Sequence, residues 1–205
     1  MTLLDTLLGL TAFAFVSSIT PGPNNLMLMA SGMNFGFRRT IPHMLGVSGG
    51  FVLMVCLVGL GLAGLFEAYP AARTVLQVAS IGYLLYLAYR IATAEGSADA
   101  PEAAGEDAKP FTFLQAALFQ WVNPKAWTMA LTAITVYASP ADPIVGLALI
   151  ALVFGAVNLP SVGLWAAAGT RLRLLLRNSA RRRIFNVAIA ALLVGSLYPV
   201  VFPSV

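Results

Sequence analysis

The chain has 205 residues, of which 59% are apolar and only 10% are charged, and its formal net charge is +4. An ordinary soluble domain has about 25% charged residues, and a small soluble protein needs a large polar surface because its surface-to-volume ratio is high. The composition therefore argues against soluble, disordered, nucleic-acid-binding and disulfide-scaffold proteins. It indicates a polytopic membrane protein.

Six apolar stretches follow one another along the chain, each long enough for the roughly 20 helical residues that cross a bilayer core. Ten-residue segments of alternating hydrophobicity, which are typical of membrane β-barrels, are absent from the sequence. Helices satisfy their backbone groups internally, as a hydrocarbon environment requires. The sequence therefore predicts an all-α integral membrane protein with six transmembrane helices. The stretches cover residues 4–34, 43–66, 72–92, 112–137, 143–169 and 184–202.

The first stretch is interrupted by Pro21, Gly22, Pro23, Asn24 and Asn25. The two prolines lack backbone donors and clash with the preceding turn, so we expect a break and a new half-helix that begins near Pro23, where proline is tolerated. The N-terminus of that half-helix would present free N–H groups and a positive dipole, which attract an anionic group such as a carboxylate. The alternative is a proline kink whose amide side chains bond to a neighbouring helix.

The second stretch contains Gly46 and Gly50, a small-xxx-small spacing that is typical of closely packed membrane helices. Residues 46–49 also match the G-x-S-G pattern of intramembrane serine proteases. A serine nucleophile needs a base, and the chain's single histidine, His43, points to a different side of an ideal helix. We therefore interpret this segment as a packing seam.

Residues 93–110 are rich in alanine, glycine and acidic residues, and they predict a flexible cytoplasmic linker. The linker separates a first half, residues 1–92, from a second half, residues 111–205. Each half contains three stretches, so the halves, if they are repeats, must be inverted. The sequence thus predicts two inverted three-helix repeats whose first and fourth helices are broken.

The fourth stretch contains the second break, at Asn123, Pro124 and Lys125. A lysine near the bilayer centre costs roughly 2.5–3.5 kcal/mol on insertion scales. We expect Lys125 either to hold a substrate carboxylate or to donate to carbonyl groups that a break has freed; the alternative is extension to the membrane interface. In the fifth stretch, Asn158 and Pro160 predict a third kink. One role for a kink at this position is to line a cavity.

The basic residues indicate the orientation of the chain. Ten of the twelve lie in alternate loops, at 38–39, 90–109 and 171–183, whereas one lies in the loops between them. The positive-inside rule places those ten in the cytoplasm and both termini outside. The stretch Arg171–Arg183 is expected to form an interfacial helix that attracts anionic lipid, at about 1 kcal/mol per base. The sequence indicates no nucleic-acid partner, cofactor or metal, and a homodimer is compatible with the pattern.

Four segments together resemble the LysE/RhtB family of amino-acid exporters over essentially the whole chain. They are SITPGPNN in the first stretch, the glycine-rich second stretch, IGYLLYLAYR at the end of the third, and WVNPKAW in the fourth. The resemblance implies a bacterial inner-membrane protein, not an enzyme, that exports amino acids or close derivatives by proton-coupled antiport. With the breaks, it predicts a site for a small amino-acid substrate at Pro21, Gly22, Pro23, Asn24, Asn25, Asn123, Pro124 and Lys125.

Two other classes of protein stay open from the sequence. A membrane-embedded enzyme would need a paired acid, base or metal set, and the sequence offers no obvious one. A non-transporting assembly subunit would not need helix breaks in the middle of the membrane in both halves. The identity of the substrate, the coupling ion and the oligomeric state do not follow from the residues.

Overall fold

A computed structural model describes residues 3–62, 64, 68–93, 109–138, 142–176 and 178–201 of the chain. Its described part contains helices and no strand, which confirms the predicted all-α class. Almost all of the predicted linker, residues 94–108, lies outside the described ranges. The helices are α1 (Leu3–Ile19), α2 (Pro23–Phe35), α3 (Phe37–Leu57), α4 (Pro70–Ala92), α5 (Phe113–Val122), α6 (Pro124–Tyr137), α7 (Pro143–Leu175), α8 (Ser179–Gly195) and α9 (Tyr198–Val201).

Proline sets the start of four of these helices. Pro23, Pro70, Pro124 and Pro143 are the first residues of α2, α4, α6 and α7. The first position of a helix suits proline because the N–H that proline lacks would have no intrahelical partner there. The two predicted breaks therefore lie where the sequence places them, between α1 and α2 and between α5 and α6.

Three described helices are long and apolar enough to cross a membrane: Phe37–Leu62, which includes a π-type turn after α3, Thr74–Ala92 and Pro143–Leu175. A fourth crossing results if α1 and α2, which meet at a bend of 54°, are counted as one. The fourth predicted span is divided at Asn123 into helices of 10 and 14 residues, and α8 has 17 residues. The prediction of six spans is therefore supported only in part.

The two halves of the chain pack through glycines. A Cβ atom at Gly169 of α7 would overlap the backbone of Met29 in α2, and one at Gly32 would overlap the backbone of Ala166. On α3, Gly46 and Gly50 bring the helix equally close to the backbone of α5, which confirms the predicted packing seam. Thus α7 of the second half lies on α2, and α3 of the first half lies on α5.

Several basic segments lie at one end of the helix bundle. A guanidinium nitrogen of Arg173, near the end of α7, lies 3.6 Å from the Cβ position of Gly36 in the turn between α2 and α3. The ring of His43, near the start of α3, packs against Phe111, just before α5, with ring centroids 5.2 Å apart. The segments that begin α3 and α5 and end α7 therefore share one end of the bundle.

The sequence suggested that the basic stretch Arg171–Arg183 forms one interfacial helix, but the structure does not show this. The stretch is divided between the last turn of α7 and the first turns of α8. Arg182 is buried, and its Nε donates a hydrogen bond of 2.8 Å to the carbonyl of Leu176. At least one arginine of this stretch therefore closes the connection between two helices instead of facing lipid.

Helix α7 runs without interruption from Pro143 to Leu175 and includes Pro160. The helix is therefore not broken at Pro160, and the kink expected there stays a prediction. The hydroxyl of Ser161 donates to the carbonyl of Val157 at 2.7 Å, one turn earlier, beside this proline. Asn158 is buried in the middle of α7, and its side chain faces the site described next.

Candidate functional site

The first break leaves the start of α2 without a side-chain cap. Gly22, the residue before the helix, is fully extended, with φ −179° and ψ 175°. Because Pro23 is the first helical residue, the next backbone donors, those of Asn24 and Asn25, have no carbonyl one turn earlier in the same helix to bond. The N-terminus of α2 therefore has the free N–H groups that the sequence predicts.

Lys125 lies across the first break. Its ammonium group donates to the carbonyl oxygen of Thr20 at 2.7 Å and to the hydroxyl of Thr20 at 2.9 Å, and it lies 3.4 Å from the carbonyl oxygen of Pro21. A lysine has three N–H donors, so this contact set uses all of them. Of the two roles expected for Lys125, the structure shows the donation to carbonyl groups freed by a break.

Asn25 completes the end of α1. Its side-chain nitrogen donates to the carbonyl oxygens of Ser18 at 2.8 Å and of Thr20 at 2.7 Å. The last carbonyls of a helix have no intrahelical donor, and these two now bond to groups from beyond the break. Asn25 is buried and holds the two half-helices together, so its side-chain amide nitrogen is already bonded to two carbonyl groups.

The second break is capped by its own asparagine. The side-chain oxygen of Asn123 accepts a hydrogen bond of 3.1 Å from the backbone N–H of Lys125, and Asn123 is buried. The indole N–H of Trp127 donates to the carbonyl of Trp121 at 2.8 Å, in the last turn of α5. The two breaks differ as a result: α6 begins with a cap, and α2 does not.

Asn24 and Gln120 join the two breaks. The amide nitrogen of Asn24 donates to the amide oxygen of Gln120 at 2.8 Å, and the nitrogen of Gln120 donates back at 3.2 Å. Gln120 is fully buried and also donates to the carbonyl of Ala116 at 2.8 Å. Gln120 was not among the site residues predicted from the sequence, although a polar residue one turn before Asn123 in an apolar stretch was a usable signal.

The breaks enclose a small polar cavity. Its volume of about 20 Å³ is room for about one water molecule, far less than an amino acid needs. Five of the eight predicted site residues line it, namely Gly22, Asn24, Asn25, Asn123 and Lys125, whereas Pro21, Pro23 and Pro124 shape the breaks from outside the lining. Four further polar residues line the cavity but were not among the predicted site residues: Ser17, Ser18, Gln120 and Asn158.

Gly22 leaves space for the lysine. A Cβ atom at this position would lie 2.7 Å from Cδ of Lys125 and 3.3 Å from its Nζ. The extended backbone of Gly22 is open to any residue. Glycine is therefore favoured here by the close passage of the Lys125 side chain, and not by backbone conformation.

The cavity carries one cation and no acid. Among its lining residues, Lys125 is the one with a charged side chain, and the other polar groups are amides and hydroxyls. Asn158 donates from its side-chain nitrogen to the hydroxyl oxygen of Ser18 at 3.1 Å. Its side-chain oxygen is buried and has no hydrogen-bond partner. The site can therefore accept both a carboxylate and a group that donates hydrogen bonds.

The chain is similar to known proteins over most of its length. A family model described as LysE type translocator matches residues 15–196. The cysteine/O-acetylserine efflux protein of Escherichia coli (strain K12) is 30% identical over 186 residues, which cover 89% of this chain and 90% of that protein. The protein of the same name from Escherichia coli O6:K15:H31 (strain 536 / UPEC) is 29% identical over the same shares. No solved structure matches the chain.

Proposed function

This chain belongs to the LysE type translocator family, and from that membership we propose that it exports a small amino acid or a close derivative across the bacterial inner membrane. Membership favours a transporter over the membrane-embedded enzyme and the assembly subunit that the sequence left open. The relatives are named for cysteine and O-acetylserine, whose side chains are small and carry no second amino group. We extend that class of substrate to this chain.

The observation that carries the proposal is the meeting of two broken helices at one polar cavity. Irregular backbone at membrane depth is tolerated where it is buried in protein or lines a cavity. In transporters built from discontinuous helices, substrates bind where half-helix N-termini point at anionic groups. Here the uncapped start of α2 and the ammonium group of Lys125 lie at the same cavity. We assign the substrate carboxylate to these two groups.

The same geometry supports a transport cycle. The cavity of about 20 Å³ is too small for an amino acid, so substrate binding requires a conformation in which the cavity is wider. A carboxylate that enters would compete with the Thr20 carbonyl for Lys125 and would loosen the tie between α1 and α6. Substrate binding would thereby favour an open conformation, because a ligand shifts a conformational equilibrium only through differential contacts.

We further propose that the export is coupled to proton entry by antiport. Lys125 is the ionisable side chain among the cavity-lining residues, so a proton exchanged at the cavity would be exchanged there. Reconstituted protein should accumulate substrate in vesicles when an imposed proton gradient is present, and a protonophore should abolish the accumulation. Accumulation that persists with the protonophore would exclude proton coupling and leave export itself intact.

We propose six membrane spans in two inverted halves. In such an arrangement, the helix that follows the broken pair in each half packs on the broken pair of the other half. The contacts of α3 with α5 and of α7 with α1 and α2 support this arrangement. The two short helices α5 and α6 would then form one span between them, as α1 and α2 do.

We propose that both termini face outward, since three base-containing segments share one end of the bundle. A single cysteine at Gly105, in a chain with Cys56 replaced, should resist an impermeant thiol reagent in intact cells. A single cysteine at Ser204 should react. The reverse labelling pattern would overturn the orientation.

A panel of labelled amino acids tests the proposed function directly. Cells that express the chain, loaded with each amino acid in turn, should release cysteine or O-acetylserine faster than cells with an empty vector. Lysine should leave at the vector rate, because the lining residues supply no acid for a second ammonium group. Equal release with and without the chain, across the whole panel, would refute amino-acid export.

A further inference from the structure

We propose that Asn158 is a specificity-determining residue of this site, whose side-chain oxygen accepts a hydrogen bond from the α-ammonium group of the substrate. The exporter would then require a free α-amino group and reject derivatives that are acylated on nitrogen. This inference rests on the proposed export function and deepens it, because it assigns the second charged group of the substrate to a residue outside the two breaks.

The side-chain oxygen of Asn158 is a buried acceptor without a partner. The residue is 5% exposed, lies in the middle of α7 and lines the cavity. Its nitrogen donates to the hydroxyl oxygen of Ser18, which fixes the amide plane and holds the oxygen in place. Buried polar atoms nearly always have a hydrogen-bond partner, so an orphan oxygen on a residue that lines a cavity indicates a ligand that donates.

Other amide oxygens of the cavity are already occupied. Those of Asn24 and Gln120 accept from each other's nitrogens, and that of Asn123 accepts from the backbone of Lys125. An ammonium group is a donor only, so it needs an acceptor that is not already bonded. The side-chain oxygen of Asn158 is a buried acceptor of this kind.

The position of Asn158 suits an α-amino acid. Asn158 is tied to Ser18 in the last turn of α1, and Lys125 is tied to Thr20, two residues later and directly after the end of α1. Two residues correspond to roughly 3 Å along a helix axis. The carboxylate and the ammonium group of an α-amino acid are attached to the same carbon, so groups that recognise them must be neighbours of this kind.

The proposed contact between Asn158 and the α-ammonium group predicts a sharp discrimination between two isomers of acetylserine. O-acetylserine and N-acetylserine have the same atoms, and they differ in whether the acetyl group is on oxygen or on nitrogen. The first keeps its α-ammonium group with three donors, whereas the second has a neutral amide with one donor and an acyl group beside it. Comparison of the two isomers therefore changes the nitrogen group that Asn158 is proposed to bind, while the elemental composition stays the same.

Binding of both isomers to the purified full chain, measured by calorimetry in detergent, tests the inference. A mildly acidic buffer is needed because the acetyl group migrates from oxygen to nitrogen in base. Wild-type protein should bind O-acetylserine at least tenfold more tightly than N-acetylserine. Asn158→Leu, which keeps the size and removes the acceptor, should weaken O-acetylserine binding about 10- to 100-fold, as expected for one hydrogen bond to a charged group. Its binding of N-acetylserine should stay unchanged.

Two further variants make the result decisive. Asn186→Leu makes the same change at a buried asparagine of α8 that does not line the cavity, and it should keep the wild-type selectivity. Asn158→Asp keeps an acceptor and adds a negative charge, so it should retain O-acetylserine binding, and it serves as the readout if Asn158→Leu does not fold. Equal selectivity in wild-type protein and Asn158→Leu, or loss of O-acetylserine binding in Asn158→Asp, would overturn the inference while export stands. Failure of the wild-type chain to export any amino acid would instead refute the proposed function.

Discussion

Replacing Lys125 by methionine should abolish export while the protein still folds and inserts. Methionine keeps the length and apolar stem of the side chain but removes the ammonium group. That group makes two short contacts with Thr20, at 2.7 and 2.9 Å, and a longer one of 3.4 Å with the carbonyl oxygen of Pro21. The substitution therefore removes the tie between α6 and the end of α1 and, in the proposed cycle, the cation that receives the substrate carboxylate.

The expected cost in stability is small because two effects oppose each other. Hydrogen bonds that involve a charged group contribute about 1.5–3 kcal/mol each, so loss of the two short contacts costs about 3–6 kcal/mol. The Thr20 carbonyl keeps its bond from Asn25, which reduces that cost toward its lower end. Relief from placing a lysine at membrane depth offsets roughly 2.5–3.5 kcal/mol. The net change in the free energy of insertion and folding taken together is then about 0–3 kcal/mol.

Efflux from cells and the amount of protein in the membrane fraction, measured together, check this prediction. Lys109→Met is a matched control, because Lys109 is exposed before α5 and lies outside the cavity lining. Export should be lost in Lys125→Met and kept in Lys109→Met, at comparable membrane levels. Near-normal export by Lys125→Met would show that the lysine only caps α1, and the assignment of the substrate carboxylate to it would then be wrong.

Two other experiments test the geometry of the site. Gly22→Ala places a Cβ atom 2.7 Å from Cδ of Lys125, so it should displace the lysine and lower export without loss of membrane insertion; export at the wild-type rate would mean that the lysine has room to move. Asn24→Ala and Gln120→Ala remove the two sides of one reciprocal amide pair, so the double variant should weaken substrate binding by less than the sum of the single effects. Additive losses within about 0.5 kcal/mol would show that the two residues act independently.

The sequence by itself determined the class of the protein and the positions of its breaks. A composition with 10% charged residues leaves a small chain too few polar groups for a water-facing surface, whatever its fold. The starts of α2 at Pro23 and of α6 at Pro124 follow from the local Pro-Gly-Pro and Asn-Pro sequences, because a missing N–H and a fixed φ act within one helical turn. Such effects are local, so the sequence of neighbouring residues is enough to predict them.

Only the tertiary structure decided what the polar groups do. Lys125 bonds to Thr20 across 105 positions of the chain, and Asn158 bonds to Ser18 across 140. The sequence left two roles open for Lys125 and did not include Asn158 or Gln120 in the site, since each partner lies on a helix of the other half. Which residues meet there depends on how closely the glycines of α2, α3 and α7 let the backbones approach. Packing of that kind depends on side chains from distant segments at once, and local hydropathy does not encode it.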